Sequence, residues 1–312
     1  MKLLMFPGQG SQKAGMGLDA YMAYRSARLV FEEVDNVLNF RLSDMIFNGN
    51  NIELTQTENA QVAIMTTSIA YLRAYEEETG EQLCNCDTIY TGHSLGEYSA
   101  LCAAGVLSLA DTAKLLWIRG NAMKECSNFK SGMAAILGLS LPEIEHLITD
   151  IQNKIPDNTV IQIANDNCNG QVVISGHKTA LEVAIEQAKK AGAKRAIFLN
   201  VAGAFHSELM RPAAEKLSIA LNKTIFKQPI GSILSSITTK IVSNGLKELL
   251  VHQLTSRVRW RETILAAEQL NIERAIEIGP DAVLTGLMKR IDTDIPTNNI
   301  NSVEAIKNIG KI

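Results

Sequence analysis

One short segment, Gly92-His93-Ser94-Leu95-Gly96, restricts the possible folds of this chain more than any other. Residues 87–91 before it predict a short strand, and the small residues 97–105 after it predict a helix. A strand can pass directly into a helix only through a sharp turn, which the two glycines permit. Such a turn exposes the Ser94 side chain at the helix start, where free N–H groups and the helix dipole stabilise developing negative charge. The segment predicts a nucleophilic serine, although the pattern alone occurs by chance in roughly one such chain in ten.

Predicted strands alternate with helices along most of the chain, which favours an α/β fold with a mainly parallel sheet. Residues 2–6 predict its first buried strand and residues 274–278 its last. From residue 132 to residue 201 the order becomes strand, helix, strand, strand, helix, strand, as in a ferredoxin-like unit. We therefore expect a catalytic core made of residues 1–131 and 202–312, with residues 132–201 inserted as a ferredoxin-like subdomain.

The composition argues against several classes of protein. Of the 312 residues 46% are hydrophobic and 20% charged, values that suit a globular protein with a sizeable core. A formal net charge of -3 argues against a nucleic-acid partner. The five cysteines lack the spacing of a zinc site or a disulfide scaffold, so we expect reduced thiols and no metal. No segment predicts a signal peptide or a membrane span, and we expect a cytoplasmic protein without a membrane partner.

A serine nucleophile needs a general base, and histidine suits this role because its pKa of about 6.5 lies near neutral pH. His206 follows a strand predicted at residues 196–201, and ligand sites of open α/β sheets gather at the carboxyl ends of strands. His93 adjoins Ser94, but its side chain should point away from the hydroxyl, which leaves it a supporting role. Of the other three histidines, two suit solvated surface positions and one, on a predicted helix, fits either role: His146, His177 and His252.

Four separated motifs can be compared with known families: Phe6-Pro7-Gly8-Gln9-Gly10-Ser11-Gln12, Gly92-His93-Ser94-Leu95-Gly96-Glu97, Gly203-Ala204-Phe205-His206-Ser207 and Glu277-Ile278-Gly279-Pro280. In this order and spacing they closely resemble malonyl-CoA:acyl carrier protein transacylases. The resemblance covers essentially the whole chain. It implies an α/β-hydrolase-like core with a ferredoxin-like insertion, which agrees with the separate prediction for residues 132–201.

The resemblance assigns a catalytic role to each matching position. Ser94 would carry the acyl group, and His206 would act as its general base. Gln9 and the backbone N–H of Leu95 would form the oxyanion hole. In this family a backbone carbonyl near the position of Gln253 holds the histidine, so the catalytic unit is a dyad without an acidic third member.

The resemblance also implies a pocket that selects the acyl group. Arg119 matches the arginine that grips the free carboxylate of the substrate, and a guanidinium suits this task because it binds both oxygens at once. Without the resemblance, a lone helical arginine would more simply form a surface ion pair. Phe205 matches the bulky residue of malonyl-selective members, whose ring should crowd an α-methyl branch. Met123 and His93 complete the expected substrate-binding residues.

Together these roles imply an acyl-carrier-protein S-malonyltransferase. Such an enzyme takes the malonyl group from malonyl-CoA, holds it on serine and passes it to the phosphopantetheine thiol of acyl carrier protein, supplying fatty-acid biosynthesis. The implied partners are malonyl-CoA and acyl carrier protein, with no cofactor, and the expected state is a monomer. Two other interpretations stay open: a trans-acting acyltransferase of polyketide synthesis, and a serine thioesterase or hydrolase.

Two positions depart from the pattern of the family. Asp281 replaces the glycine that follows Gly279-Pro280, and Ser235 or Ser236 replaces an asparagine in the strand after Pro229. We expect the first change to alter a loop near the mouth of the site. We expect the second to weaken a local hydrogen bond, and neither to touch the dyad.

Overall fold

The computed structural model describes residues 1–128 and 130–309. Its strands are β1 (Lys2–Phe6), β2 (Thr88–Gly92), β3 (Ser131–Leu137), β4 (Ile161–Cys168), β5 (Gln171–His177), β6 (Arg195–Phe198), β7 (Ser232–Leu234), β8 (Ile241–Val242), β9 (Arg274–Ile278) and β10 (Thr297–Ile300). Its α-helices are α1 (Leu18–Ala23), α2 (Arg25–Leu38), α3 (Leu42–Asn48), α4 (Asn51–Thr55), α5 (Thr57–Thr79), α6 (Gly96–Ala103), α7 (Leu109–Glu125), α8 (Leu141–Gln152), α9 (Lys178–Lys190), α10 (Arg211–Lys223), α11 (Leu246–Gln253), α12 (Trp260–Glu268), α13 (Val283–Met288) and α14 (Val303–Ile309). One turn of 3₁₀ helix spans Glu208–Met210.

The larger sheet has the strand order β10-β9-β1-β2-β7-β8 among the described residues. Its neighbouring strands run parallel, except for the antiparallel pair β7 and β8. The central strands β1 and β2 are buried along nearly their whole length, as expected for parallel strands covered on both faces. The expectation of an α/β fold with a mainly parallel sheet is confirmed.

The smaller sheet has the order β4-β5-β3-β6, and all of its neighbouring strands are antiparallel. Its elements follow one another as β3, α8, β4, β5, α9 and β6, the order predicted from the sequence. The helices α8 and α9 bury their apolar faces against this sheet in a core of its own, which includes Ile136, Ile144, Val172 and Leu181. The division of the chain into domains at residues 132 and 201 stays a prediction.

Helix α5 is the buried helix that packs against the larger sheet. It runs for 23 residues and is buried along most of its length, on every face. A helix buried all round must lie inside the protein, and α5 packs against α2, α7 and the strands β9 and β10. Within the described residues, no helix combines the length and hydropathy needed to cross a membrane.

Backbone atoms approach one another closely at the junction between β2 and α6. The His93 N–H donates to the Phe6 carbonyl at 3.0 Å, which binds the turn to the end of β1. A Cβ atom added to Gly96 would lie 2.0 Å from the same carbonyl oxygen, and one added to Gly92 would lie 2.0 Å from the carbonyl carbon of Gly96. The two glycines are therefore required by close approach of backbone to backbone.

We predict that Gly96→Ala lowers the free energy of unfolding by at least about 2 kcal/mol, because its methyl group must displace the β1 backbone. Gly286→Ala is the matched control, since no atom lies within 4 Å of the Cβ position in this helical glycine. That change should be neutral or stabilise by up to about 1 kcal/mol. Urea denaturation of the two variants measures the difference, and equal stabilities would contradict the proposed crowding.

Candidate active site

The Ser94 side chain stands at the turn between β2 and α6. Its backbone has a φ of 53°, a left-handed conformation that costs a non-glycine residue energy and is common at functional sites. The Gly96 N–H donates to the His93 carbonyl at 2.9 Å, and the Glu97 N–H donates to the Ser94 carbonyl at 3.1 Å. These hydrogen bonds hold the turn that presents the Ser94 hydroxyl.

Ser94 and His206 are in direct contact. The Ser94 Oγ atom lies 2.8 Å from Nε2 of His206, and Nδ1 of His206 lies 2.9 Å from the carbonyl oxygen of Gln253. A carbonyl can only accept, so Nδ1 carries the proton and Nε2 is free to accept the Ser94 hydroxyl proton. The geometry is that of a general base oriented by a backbone carbonyl.

The prediction that His206 lies at the carboxyl end of a strand of the parallel sheet was wrong. The strand β6 ends at Phe198 and belongs to the antiparallel sheet, so the carboxyl end of a parallel strand does not place this histidine. His206 lies in a turn with a φ of 58°. The Ser207 hydroxyl donates to the Ala204 carbonyl at 2.6 Å, and the Gln162 side chain accepts from the Glu208 N–H at 2.7 Å, which fixes this turn.

Burial, together with the nearby positive charge of Arg119, lowers the pKa of His206 to about 3, against the opposing hydrogen bond from Nδ1 to the Gln253 carbonyl. The imidazole is therefore neutral throughout the physiological range. A neutral imidazole is the form that can accept a proton from serine.

Arg119 enters the site from α7, and its side chain is 1% exposed. Its Nη2 atom donates to Ser94 Oγ at 3.1 Å and to the Gln253 side-chain oxygen at 3.0 Å, while Nη1 donates to the Gln61 side-chain oxygen. Gly120, the next residue, allows α7 to pack closely against α5, since a Cβ on Gly120 would lie 2.6 Å from Glu58 Cα on α5. The two helices touch backbone to backbone, and Arg119 is carried into the interior.

A cavity of about 400 Å³ opens beside the dyad. It is lined by eight of the residues predicted from the sequence, namely Gln9, His93, Ser94, Leu95, Arg119, Met123, Phe205 and His206. The ninth, Gln253, lies behind the dyad and contacts it from α11. The structure therefore brings the predicted site residues together, and the roles assigned to them stay predictions.

Gln9 and Leu95 are the two candidate oxyanion-hole residues. The Gln9 side-chain amide donates to the Thr57 hydroxyl at 3.3 Å and lines the cavity. Leu95 occupies the N-cap position of α6, and its N–H has no acceptor among the described residues. A free N–H at a helix start beside the nucleophile suits the stabilisation of an oxyanion.

The acyl transferase domain family matches residues 3–307. The malonyl CoA-acyl carrier protein transacylase of Bacillus subtilis strain 168 is 41% identical over 306 residues, which cover 97% of this chain and 94% of that protein. This chain belongs to the malonyl-CoA:acyl carrier protein transacylase family.

Two solved structures of family members resemble the whole molecule. The acyl-carrier-protein S-malonyltransferase of Bartonella henselae has a TM-score of 0.94 and 43% identity, covering 99% of this chain and 98% of that chain. A malonyl-transacylase in complex with its type II polyketide synthase acyl carrier protein has a TM-score of 0.92 and 34% identity, covering 98% of both chains. The match extends over both sheets.

Residues to which the sequence analysis assigned no role also contribute to the site. Gln61 supports Arg119, Oδ1 of Asn167 accepts from Nε2 of His93 at 2.9 Å, and the Glu97 carboxylate accepts from the Gln253 side chain. Gln61 had one visible signal, because it is a polar residue inside an apolar helix. Asn167 had no signal in the sequence, since its partner His93 is brought to it only when β4 packs against the turn between β2 and α6.

The two departures from the family pattern lie close to the site. Ser235 and Ser236 are fully buried, and both hydrogen-bond to Glu97, one through its hydroxyl and the other through its backbone. The Ser236 hydroxyl itself has no partner among the described residues. Asp281 is exposed and accepts the Ala282 N–H at 2.8 Å, just before α13, whose residues line the cavity mouth.

The lowered pKa of His206 predicts a pH-dependent stability. The unfolded imidazole, with a pKa of about 6.5, takes up a proton before the folded one as the pH falls. The free energy of unfolding should therefore fall between about pH 6.5 and pH 3 and be unaffected by this group above that range. Between pH 7.5 and pH 5 the loss due to His206 should be about 2 kcal/mol. Urea denaturation at both values should show a smaller loss for His206→Gln, and an equal loss would refute the neutral buried imidazole.

Proposed function

We propose that this chain transfers the malonyl group from malonyl-CoA to the phosphopantetheine thiol of acyl carrier protein through a malonyl-serine intermediate. One observation carries the proposal. The Ser94 hydroxyl contacts both a neutral histidine, at 2.8 Å, and a buried arginine, at 3.1 Å. A nucleophile with its base provides acyl transfer, and the guanidinium beside it provides a place for an anionic acyl group.

In the first half-reaction, Ser94 Oγ attacks the thioester carbonyl while Nε2 of His206 takes the hydroxyl proton. The tetrahedral oxyanion is stabilised by Gln9 and the Leu95 N–H. The imidazolium then gives its proton to the sulfur of CoA as the carbon–sulfur bond breaks. The products are malonyl-Ser94, free CoA thiol and neutral His206.

In the second half-reaction, the carrier thiol replaces CoA in the cavity. His206 takes the thiol proton as the sulfur attacks the serine ester, and it returns the proton to Ser94 Oγ as the ester bond breaks. The Gln253 carbonyl supports both steps, because it stabilises the positive charge that forms on the ring. The enzyme is regenerated without any cofactor in this scheme.

Selection of the acyl group follows from the residues around Ser94. The Arg119 guanidinium would bind the free carboxylate of the malonyl group through charge-assisted hydrogen bonds. Phe205 and Met123 line the same cavity and would pack against the malonyl methylene. The ring of Phe205 would crowd a methyl branch, which favours malonyl over methylmalonyl.

Several features of the wider molecule belong to the same proposal. The nucleophile lies between a strand of the mainly parallel sheet and the helix that follows it, which supports an α/β-hydrolase-like core. The element order of the smaller sheet supports a ferredoxin-like insertion.

All proposed catalytic groups come from one chain, so we propose a functional monomer. The free cysteines support a cytoplasmic location. We propose the carrier protein of fatty-acid synthesis as the acceptor, and the similarity to the polyketide synthase complex makes a polyketide carrier the second candidate.

We predict that Ser94→Ala abolishes both malonyl-enzyme formation and transfer to carrier protein, because it removes the attacking oxygen. Ser99→Ala is the matched control, since this buried hydroxyl on α6 has no partner among the described residues. Intact-protein mass spectrometry after mixing with malonyl-CoA, with and without phosphopantetheinylated carrier, measures both steps. Labelling of Ser94→Ala, or release of free malonate at the same rate with and without carrier, would refute the transferase.

We predict that Arg119→Met slows acylation by malonyl-CoA by about tenfold to a hundredfold, the worth of a hydrogen bond to a charged group. Acylation by acetyl-CoA should change far less, since acetyl has no free carboxylate. Rapid-quench measurements at pH 8 compare the two substrates, and Arg73→Met, which removes a charge on α5, is the control. Equal slowing with both substrates would contradict the proposed carboxylate contact.

A further inference from the structure

The Arg119 guanidinium is a buried cation whose hydrogen-bond partners are all neutral. In the described part of the chain no aspartate or glutamate forms an ion pair with it. It is held by the side-chain oxygens of Gln61 and Gln253 and by Ser94 Oγ, and it lies 5.7 Å from the centre of the Tyr98 ring. Its Nε atom has no partner among the described residues. Buried cations are normally paired with a carboxylate, so this arrangement is unusual.

A carboxylate does lie nearby, but an amide separates it from the cation. Glu97 is 3% exposed, and its carboxylate accepts from Nε2 of Gln253, while Oε1 of the same amide accepts from Arg119. The second hydrogen of the amide goes to the Ser94 carbonyl at 3.1 Å. If the amide were rotated by 180°, its NH₂ group would face the Arg119 cation. Its oxygen would then face two other acceptors, the Glu97 carboxylate and the Ser94 carbonyl. The contacts therefore allow one orientation.

Glu97 is also bound from the loop that follows β7, through the Ser235 hydroxyl and the Ser236 backbone. Burial raises its pKa to about 7, against the hydrogen bonds from Gln253, Ser235 and Ser236 and the positive charge of Arg119, all of which lower it. The carboxylate thus has three donors of its own and no contact with the guanidinium. Its distance from Arg119 is maintained by the Gln253 side chain.

We propose that Gln61 and Gln253 are specificity-determining residues, which hold Arg119 with neutral amide oxygens and so leave its charge unpaired for the carboxylate of an anionic acyl group. An internal carboxylate in either place would form an ion pair with the guanidinium, and a malonyl carboxylate would then have to displace it. The inference rests on the proposed function, since it takes Ser94 as the acylated residue and Arg119 as the acyl-carboxylate site.

The test places a carboxylate against Arg119 without changing the size of the side chain. Gln253→Glu and Gln61→Glu do so from two different helices, so a folding defect in one variant leaves the other. Gln61→Met is the neutral control, because it removes the amide that holds Nη1 of Arg119 but leaves Gln253 between Arg119 and Glu97. Glu97→Gln is the second control, because it removes the nearby charge without touching the guanidinium.

The measured quantity is the ratio of the rate constants for Ser94 acylation by malonyl-CoA and by acetyl-CoA. We expect this ratio to fall roughly tenfold to a hundredfold in Gln253→Glu and Gln61→Glu. It should stay near the wild-type ratio in Gln61→Met and Glu97→Gln, even if both rates fall. A purely structural role of the two amides would lower both rates together and leave the ratio unchanged in all four variants.

Each outcome decides the question. A wild-type ratio in a folded Gln253→Glu or Gln61→Glu variant would overturn the proposal, and so would loss of the ratio in either neutral variant. If both carboxylate variants fail to fold, Gln253→Met decides, because it removes the amide that separates Glu97 from Arg119. A fall in the ratio that an added Glu97→Gln change reverses supports the proposal, and an unchanged ratio overturns it. Failure of the wild-type protein to acylate Ser94 from malonyl-CoA would instead refute the proposed function itself.

Discussion

The burial of one positive charge governs the rest of the site. Arg119 is drawn into the interior by the close approach of α7 and α5, and a buried guanidinium is stable only if its N–H groups are satisfied. Amide oxygens from α5 and α11 and the hydroxyl of Ser94 meet most of this demand. The same charge adds to the effect of burial, which keeps His206 neutral. The position of the nucleophile, the protonation of its base and the electrostatics of the cavity thus depend on one side chain.

Gln253 joins these parts because its backbone and its side chain act separately. The backbone carbonyl orients His206, and the side-chain amide contacts Arg119, Glu97 and the Ser94 carbonyl. It is the last residue of α11, where carbonyl groups lack partners within the helix. A carbonyl at a helix end can therefore hold an imidazole without disturbing the helix. No acidic residue is needed to orient the histidine.

Much of the fold could be predicted because the decisive features are local, whereas most of the site residues were assigned through the resemblance to the family. The glycines around Ser94 predict the turn, and the change of element order after residue 131 predicts the second sheet. The place of His206 could not be predicted in the same way, since the sheet to which β6 belongs depends on pairing with β3. The strands β7 and β8 have three and two residues, too few to show a period. The partners of Gln61 and Glu97 lie far away in sequence, and only the folded chain brings them together.

Part of the cavity wall comes from the smaller sheet. Met133 and Ala135 from β3 and Val173 from β5 line it, whereas Ser94 and Arg119 are held by the larger sheet and its helices. Alternate residues of a strand point to one face, so every second position of β3 and β5 can change the width of the cavity. The reacting groups and the shape of the space before them are therefore encoded in separate stretches of the chain. Substitutions on β3 and β5 can change the shape of the cavity without moving the reacting groups, so proteins with this fold can evolve to accept different acyl groups.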